Sequence, residues 1–185
     1  MAEYYLISQL PSLDGISDSA PVPITEERFL ELCKRFLSKK TINELLGLSL
    51  VPQRNPEKSA SALVDAWNEG ESNLRLILGN LRAEKMDKPF DADNRAVNMA
   101  LVQAARTAME LESPMEAEKY LNRFRLDFLE TLRPMDSFSE DYVFYYWLKL
   151  KLISRMKQFD PEIGEAEYRN IYNSIMHKDR SEVTQ

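Results

Sequence analysis

Glycine is scarce in this sequence of 185 residues, in which it occurs only 5 times. An average content of about 7% would supply roughly 13 glycines. Hairpins and tight left-handed turns need glycine, so the shortage argues against a β-sandwich or a β-barrel. Leucine outnumbers valine and isoleucine together, which favours helices. We therefore expect an all-α fold in a single domain over residues 1–185. This domain would be a compact bundle of about six to seven helices, or two merged bundles.

Cysteine and histidine are nearly absent too, with one of each at Cys33 and His177. A single cysteine forms no internal disulfide, which fits a reducing cytoplasm, and it supplies no cysteine-rich metal site. We interpret Cys33, on the apolar face of a predicted helix, as a buried structural thiol, and His177 as a solvated residue near the C-terminus. The sequence has no glycine-rich phosphate loop. We expect no catalytic residue, no metal and no cofactor, and hence a protein that is not an enzyme.

The sequence also lacks a strongly basic region and a long apolar run. The net charge is −6, and the short lysine clusters at 39–40 and 149–157 are diluted by apolar residues, so we expect no nucleic-acid partner. The densest apolar stretch, Tyr142 to Ile153, is interrupted by two lysines, which excludes direct insertion into a membrane. The N-terminus shows no signal peptide. These observations predict a cytoplasmic protein.

Prolines and polar helix caps divide the chain into windows that favour helices, because proline inside a helix costs about 3 kcal/mol. One of the clearest starts is Ser113-Pro114, which Glu116 completes as a capping box. Residues 4–10 form an apolar segment compatible with a strand or with one or two helical turns, and the polar tail 178–185 is predicted to fray. Further helices are predicted at 26–38, at 41–47 with a capping box of Thr41 and Glu44, and at 57–85 with a break or kink near Glu69-Gly70. Two more are predicted to begin at Asp91 or Asp93 and at a capping box of Ser137 and Glu140. A last helix is predicted from Asp160, and its inward residues would be Ile163, Tyr168, Ile171, Tyr172 and Ile175.

Aromatic residues are concentrated in the segment Tyr142–Leu148, which is apolar nearly all round. This pattern is typical of a central helix that is covered on several sides. We prefer it to a ligand-stacking surface, because consecutive aromatic residues point in all directions around a helix. The exposed part of this helix and the apolar N-terminal strip are candidates for contact with another protein. The candidate interface residues are Tyr4, Tyr5, Leu6, Tyr145, Tyr146 and Trp147.

Two sets of charged residues have the spacing of ion pairs. Glu71, Arg75 and Arg82 lie on one stripe of their predicted helix, and Glu118 and Arg125 are seven residues apart on another. They form either interhelical ion pairs that fix the register of the two helices, or solvated pairs within each helix. A solvated pair of this kind contributes about 0.3–0.5 kcal/mol. The residues alone leave both interpretations open.

Four stretches of the chain carry a resemblance to a known family. They are Trp67–Arg75 continuing to Leu81-Arg82-Ala83, Ser113–Leu121 continuing to Arg125, Phe128-Leu129 and Phe138, Tyr146–Arg155, and Tyr4–Pro11. Together they resemble an uncharacterised bacterial family whose genes tend to lie among those of V/A-type ATPases. Members distantly resemble the C subunit of these ATPases (d in eukaryotes), a helical funnel that joins the central stalk to the membrane rotor ring. These motifs cover most of the chain and are helical patterns rather than catalytic signatures.

This resemblance implies a non-catalytic structural subunit or assembly factor of a V/A-type ATPase. Its partners would be subunits of the central stalk and the membrane ring, and the ATPase would hold it at the membrane periphery. The C subunit is longer, with three related helical units, and this chain has room for only part of it. Two alternatives stay open. One is a cytoplasmic helical chaperone with an apolar groove for a client peptide. The other, ranked last, is an enzyme that uses clustered carboxylates and a metal.

Overall fold

The computed structural model describes residues 2–16, 20–52, 58–90, 98–157 and 168–172. Over these ranges the chain contains helices and no strand, which confirms the predicted all-α multi-helix bundle. A short helical segment at 168–172 follows seven longer elements. These are α1 (Ala2–Ile7), α2 (Glu26–Phe36), α3 (Lys39–Gly47), α4 (Ala62–Lys85), α5 (Met99–Glu110), α6 (Pro114–Thr131) and α7 (Glu140–Lys157).

Two helix starts agree with the sequence signals. The Thr25 hydroxyl accepts the backbone N–H of Arg28 and caps α2. The Ser113 hydroxyl accepts the N–H of Glu116, with Pro114 in the first turn of α6. Both caps satisfy an amide that has no partner within its helix.

Other starts differ from the prediction. Ser38, not Thr41, caps α3, because the hydroxyl of Thr41 is buried and donates to the Glu140 carboxylate at the start of α7. Ser139, not Ser137, accepts the amide of Tyr142. α4 begins after Ser61, later than predicted, and is unbroken at Glu69-Gly70. The described part of α5 begins after its cap Asn98. The predicted starts at Asp91 and Asp93 lie outside the described residues.

The predictions for the two ends of the chain have different outcomes. Residues 2–7 are helical, and the turn to residue 10 continues with backbone hydrogen bonds, so the helical form of segment 4–10 is the one adopted. Tyr168, Ile171 and Tyr172 are exposed by 66%, 59% and 51%, so their predicted inward orientation is wrong. The described elements do not cover this segment. Ile163, Ile175, His177 and the tail 178–185 lie outside the described residues.

Two hydrophobic clusters make up the core, and α4 and α6 belong to both. We call them the large and the small core. The large core joins α1, α2, α3 and α7 to the first half of α4 and the end of α6. The small core joins the second half of α4 to α5 and the first half of α6. This arrangement corresponds to two merged bundles.

α7 forms the centre of the large core. All eight residues from Val143 to Leu150 are buried, which confirms a helix covered on every side. The ring of Phe29 on α2 stacks on Tyr146 and Trp147, with ring centroids 5.3 and 5.1 Å apart. Neither α7 nor any other helix in the described ranges is long and apolar enough to span a bilayer.

Candidate interaction surface

A buried ion pair joins α4 to α6. Arg125 donates from Nε and Nη2 to the Glu71 carboxylate at 2.8 and 3.0 Å. Arg75, one turn after Glu71 on α4, donates from Nε to the same carboxylate at 2.8 Å from the exposed side. The interhelical interpretation therefore holds for Glu71 and Arg125, while the Glu71–Arg75 pair lies within α4 but is not solvated, because Glu71 is buried.

This ion pair lies between the two hydrophobic cores. On α4, Trp67 precedes Glu71 and belongs to the large core, while Leu74 follows it and belongs to the small core. On α6 the order is reversed, because Leu121 of the small core precedes Arg125. Asn122, also buried, donates to the carbonyl of Leu152 on α7 at 3.0 Å. The polar layer therefore fixes the register of α4, α6 and α7 where the two cores meet.

The other predicted members of the network do not join this layer. Glu118 accepts from Arg155 on α7 at 2.9 Å and not from Arg125, because it lies about two turns before Arg125 on α6 and opposite the end of α7. Arg82 lies exposed near the end of α4 and has no ion-pair partner within the described part of the chain. The network predicted over five residues is thus a three-residue core and a separate Glu118–Arg155 pair, with Arg82 outside both.

Four of the six predicted interface residues are buried. Leu6, Tyr145, Tyr146 and Trp147 expose at most 4% of their surface, so the structure corrects their assignment to an exposed interface. The reason is that residues 2–16, α2 and α3 all lie over α7. Tyr146 donates its phenol proton to the carbonyl of Pro11 at 2.8 Å, and Trp147 donates its Nε1–H to the Leu45 carbonyl at 3.0 Å.

The remaining two predicted residues, Tyr4 and Tyr5, belong to an exposed apolar cluster. Tyr4 and Tyr5 are 53% and 57% exposed, Phe138 is 47% exposed and Met135 is fully exposed. The ring centroids of Tyr4 and Phe138 are 4.8 Å apart, and those of Tyr4 and Tyr5 are 5.8 Å apart. We call the three contacting rings of Tyr4, Tyr5 and Phe138, together with Met135 from the same loop as Phe138, the aromatic patch. It joins α1 to the loop before α7.

Sequence reasoning missed Met135 and Phe138 as members of this exposed apolar surface. The available signal was their position, since each is a large apolar residue in the short polar loop between Arg133 and Glu140. A loop of this length has no core of its own in which to bury such residues. Asp136 shapes the loop by accepting the backbone N–H of Phe138 at 2.9 Å.

A cavity of about 270 Å³ lies beside the residues that cover α7. Apolar walls come from α1 and the following turn, and the phenol rings of α7 form the opposite side. The lining residues are Ile7, Leu10, Pro11, Ser12, Leu13, Asp14, Arg133, Tyr142, Tyr145, Tyr146 and Lys149. Its polar groups contact one another, since Lys149 donates to Asp14, to Glu130 and to the Tyr145 phenol oxygen.

These contacts shift the pKa values of the cavity. The hydrogen bond from Lys149 lowers the pKa of Asp14. Burial raises the pKa of Glu130, but the hydrogen bonds from Lys149 and Tyr145 outweigh it and the net pKa is lowered. Burial and the hydrogen bond to Glu130 raise the pKa of Tyr145 to about 12. Near neutral pH the cluster thus holds one ammonium, two carboxylates and a neutral phenol.

Arg133 lies at the mouth of this cavity. Its guanidinium is 3.8 Å from the nearest oxygen of both Asp14 and Glu130, and it lies over the rings of Tyr142 and Tyr145 at 6.0 and 5.8 Å. With Lys149 it balances the two carboxylates. The cavity is therefore an electrically balanced site that attaches residues 11–14 to α7.

Acidic, histidine and cysteine side chains are the usual metal ligands of proteins. The described ranges contain no cluster of three or more such residues that could hold a metal ion. Cys33 is fully buried in the large core, as predicted, and burial raises its pKa to about 12.

Comparisons with protein families, with curated proteins and with solved structures found no match to this chain. The family resemblance carried by the sequence stretches therefore stays a prediction, and so do the partners that it implies.

Proposed function

We propose that this chain is a non-catalytic, protein-binding component of a V/A-type ATPase. It would act as a structural component or an assembly factor that contacts the central stalk and the membrane rotor, as the C subunit of these ATPases does. The choice of partner rests on the sequence resemblance. The mode of action rests on one observation, the aromatic patch of Tyr4, Tyr5, Met135 and Phe138 on the surface of a tightly packed helical body.

The patch has the composition of a protein contact. Tyrosine, phenylalanine and methionine are enriched in interfaces, and a cluster of exposed large apolar side chains marks a contact site more often than a single one does. The patch also stands on a firm support. Leu6, adjacent to Tyr5, is fully buried, and α7 begins two residues after Phe138. A component that transmits or organises force between larger subunits needs such rigid attachment and no nucleophile.

The alternative of a client-binding chaperone requires a concave apolar groove that holds a peptide. The cavity beside α1 contains Asp14, Arg133 and Lys149, which are already paired with one another or with Glu130. Its volume of about 270 Å³ is below the range of about 300–1,000 Å³ for small-molecule pockets. This size suits one or two side chains of a folded partner better than an extended client, so we favour the ATPase component.

The proposal is tested by affinity purification of the tagged chain from its native source, followed by mass spectrometry. We expect stalk or rotor subunits of a V/A-type ATPase among the specific partners. A double variant, Tyr4→Ser with Phe138→Ser, should lose these subunits. Met99→Ser is the matched control, because Met99 is 79% exposed at the start of α5, on a helix of the small core. Purification without any ATPase subunit would contradict the proposal.

A further inference from the structure

We infer that the aromatic patch and the adjoining cavity form one groove for an amphipathic helix of a partner protein, with lysine or arginine beside its apolar anchor residues. This inference rests on the proposed function, because it describes the partner segment that the same surface would receive. The groove runs between α1 and the first turn of α7.

The patch and the cavity are continuous along both walls. The ring centroids of Tyr4 and Phe138 are 4.8 Å apart in the patch. Ile7 lies three residues after Tyr4, about one turn further along α1, and Tyr142 lies in the first turn of α7, which begins two residues after Phe138. Ile7 and Tyr142 both line the cavity. Each wall therefore leads from an exposed aromatic ring of the patch to a residue of the cavity.

This shape fits an anchor side chain. Binding energy at protein interfaces is concentrated in a few large side chains that enter desolvated pockets, with flatter contacts around them. Here the cavity would receive one anchor, while Tyr4, Tyr5, Met135 and Phe138 would cover the next turn of the partner helix. The described elements offer no strand to which a partner could add a β-strand. A helix that presents apolar residues at positions i, i+3 or i+4, and i+7 uses the groove directly.

The charge around the patch determines the flanks of the partner helix. Asp136 and Glu140 are exposed and Asp141 is half-buried, all within five residues of Phe138. Nearby basic groups do little to balance them. Arg133 faces Asp14 and Glu130 at the cavity, and Lys40 lies 3.9 Å from Glu44 on its own helix. Lys39, the first residue of α3, is exposed.

The charge of the whole chain has the same sign, at −6. A partner helix with basic flanks is therefore attracted to the patch at long range, whereas an acidic helix is repelled. Complementary charge of this kind selects the partner and its orientation. The apolar side chains of the partner that contact the patch would contribute most of the affinity.

The test uses two synthetic helical peptides with the same leucine and phenylalanine face, one flanked by lysine and the other by glutamate. Binding to the full chain is measured by calorimetry and by amide chemical shifts. We expect the lysine-flanked peptide to bind and to shift the amides of residues 4–7 and 136–142. The glutamate-flanked peptide should bind about tenfold more weakly at low salt, and added salt should reduce this difference.

A charge-neutral variant tests the acidic rim without disturbing the loop. Asp136→Asn keeps the side-chain oxygen that accepts the Phe138 amide, and Asp141→Asn removes the second charge. The double variant should bind the lysine-flanked peptide about fivefold more weakly at low salt. The matched control is Glu110→Gln with Glu112→Gln, two exposed carboxylates near the end of α5, and it should bind like the original chain.

The outcomes separate this inference from the proposed function. Equal binding of both peptides, no binding, or shifts confined to other residues would overturn the groove. Co-purification of ATPase subunits that is unchanged in the Asp136→Asn, Asp141→Asn variant would also overturn it while the proposed function stands. Selective binding of the lysine-flanked peptide at the groove, without any ATPase subunit in the purification, would support the groove and contradict the ATPase assignment.

Discussion

Arg125 on α6 holds the Glu71 carboxylate of α4 with two hydrogen bonds, of 2.8 and 3.0 Å, and neither side chain is more than 5% exposed. The pair is located where the large and the small core meet, so it connects the two halves of the molecule. A charge pair in such a place contributes little net stability when intact, since desolvation offsets the attraction. Loss of Glu71 would leave the buried Arg125 guanidinium unpaired, whereas loss of Arg125 would leave the buried Glu71 carboxylate with Arg75 as its partner.

The first prediction concerns the difference between removing one partner of this buried pair and removing both. Arg125→Met should lower the free energy of unfolding by about 3–5 kcal/mol, because Glu71 then keeps only the half-exposed Arg75 as its partner. Adding Glu71→Leu to this variant should recover most of the loss. Urea unfolding followed by circular dichroism measures both changes.

The matched control is Arg82→Met, on the exposed side of α4. It should change the free energy of unfolding by no more than about 0.5 kcal/mol. An Arg125→Met variant as stable as this control would show that the pair does not join the two cores.

The second prediction concerns the close approach of α4 and α6. A Cβ atom added at Gly70 would lie 2.5 Å from the ring of Phe128, which packs beside Trp67. Gly70→Ala should therefore give a lower melting temperature than Gly47→Ala, because the ring of Phe128 must shift and this cost offsets the gain of about 1 kcal/mol that alanine brings to a helix. Thermal unfolding measures the change. Gly47→Ala is the control, because nothing lies within 4 Å of its added Cβ. Equal melting temperatures for both variants would contradict the contact.

The third prediction concerns acid sensitivity. Asp14 and Glu130 have lowered pKa values in the folded protein, so the unfolded chain binds more protons than the folded one in acid. Their stabilising effect is present above the ordinary pKa values of 3.8 and 4.5 and is lost as the pH falls through and below them. We expect the free energy of unfolding to decline between about pH 5 and pH 3.

Lys149→Met removes the ammonium that lowers both pKa values. This variant should be less stable at pH 7, and its difference from the original chain should shrink as the pH falls, as urea titrations at several pH values would measure. Lys88→Met, at an exposed lysine after α4, should keep the original pH dependence. A constant difference across this range would show that Lys149 does not lower these pKa values.

The fourth prediction concerns the single thiol. Cys33 is fully buried and its pKa is raised to about 12 by burial, so the reactive thiolate is scarce and inaccessible at pH 8. Iodoacetamide should leave the folded protein unmodified and add one group per chain in denaturant. Mass spectrometry reads the mass of the intact chain. Rapid labelling of the folded protein would place Cys33 at an opening in the large core.

Local signals predicted much of the fold. The start of α6 follows from Ser113 and Pro114, because cap and proline act within one turn and need no tertiary contact. The starts of α3 and α7 differ from the prediction because the local sequence offers more than one cap. Several hydroxyl side chains near each start can serve as caps, and the contact between Thr41 and Glu140, 99 residues apart, commits Thr41 to a tertiary hydrogen bond.

The candidate site depended on contacts that no local pattern contains. Periodicity predicted that α7 is covered on several sides, but the cover includes residues 2–16, and Tyr146 and Pro11 are 135 residues apart. Burial of the predicted interface residues on α7 follows from this contact together with the contacts of Trp147 to Phe29 on α2 and to Leu45 on α3. The spacing of Glu71 and Arg75 indicated an intrahelical pair correctly. The pairing with Arg125, 54 residues away, could be offered only as one of two interpretations.

The most direct test of the proposed function is quantitative mass spectrometry of the V/A-type ATPase purified from the native source, both assembled and during assembly. We predict that this chain is present in at least one of these forms, and that it is lost when Tyr4 and Phe138 are both replaced by serine. An ATPase purified in both forms with no trace of the chain would show that it is not a component of this ATPase.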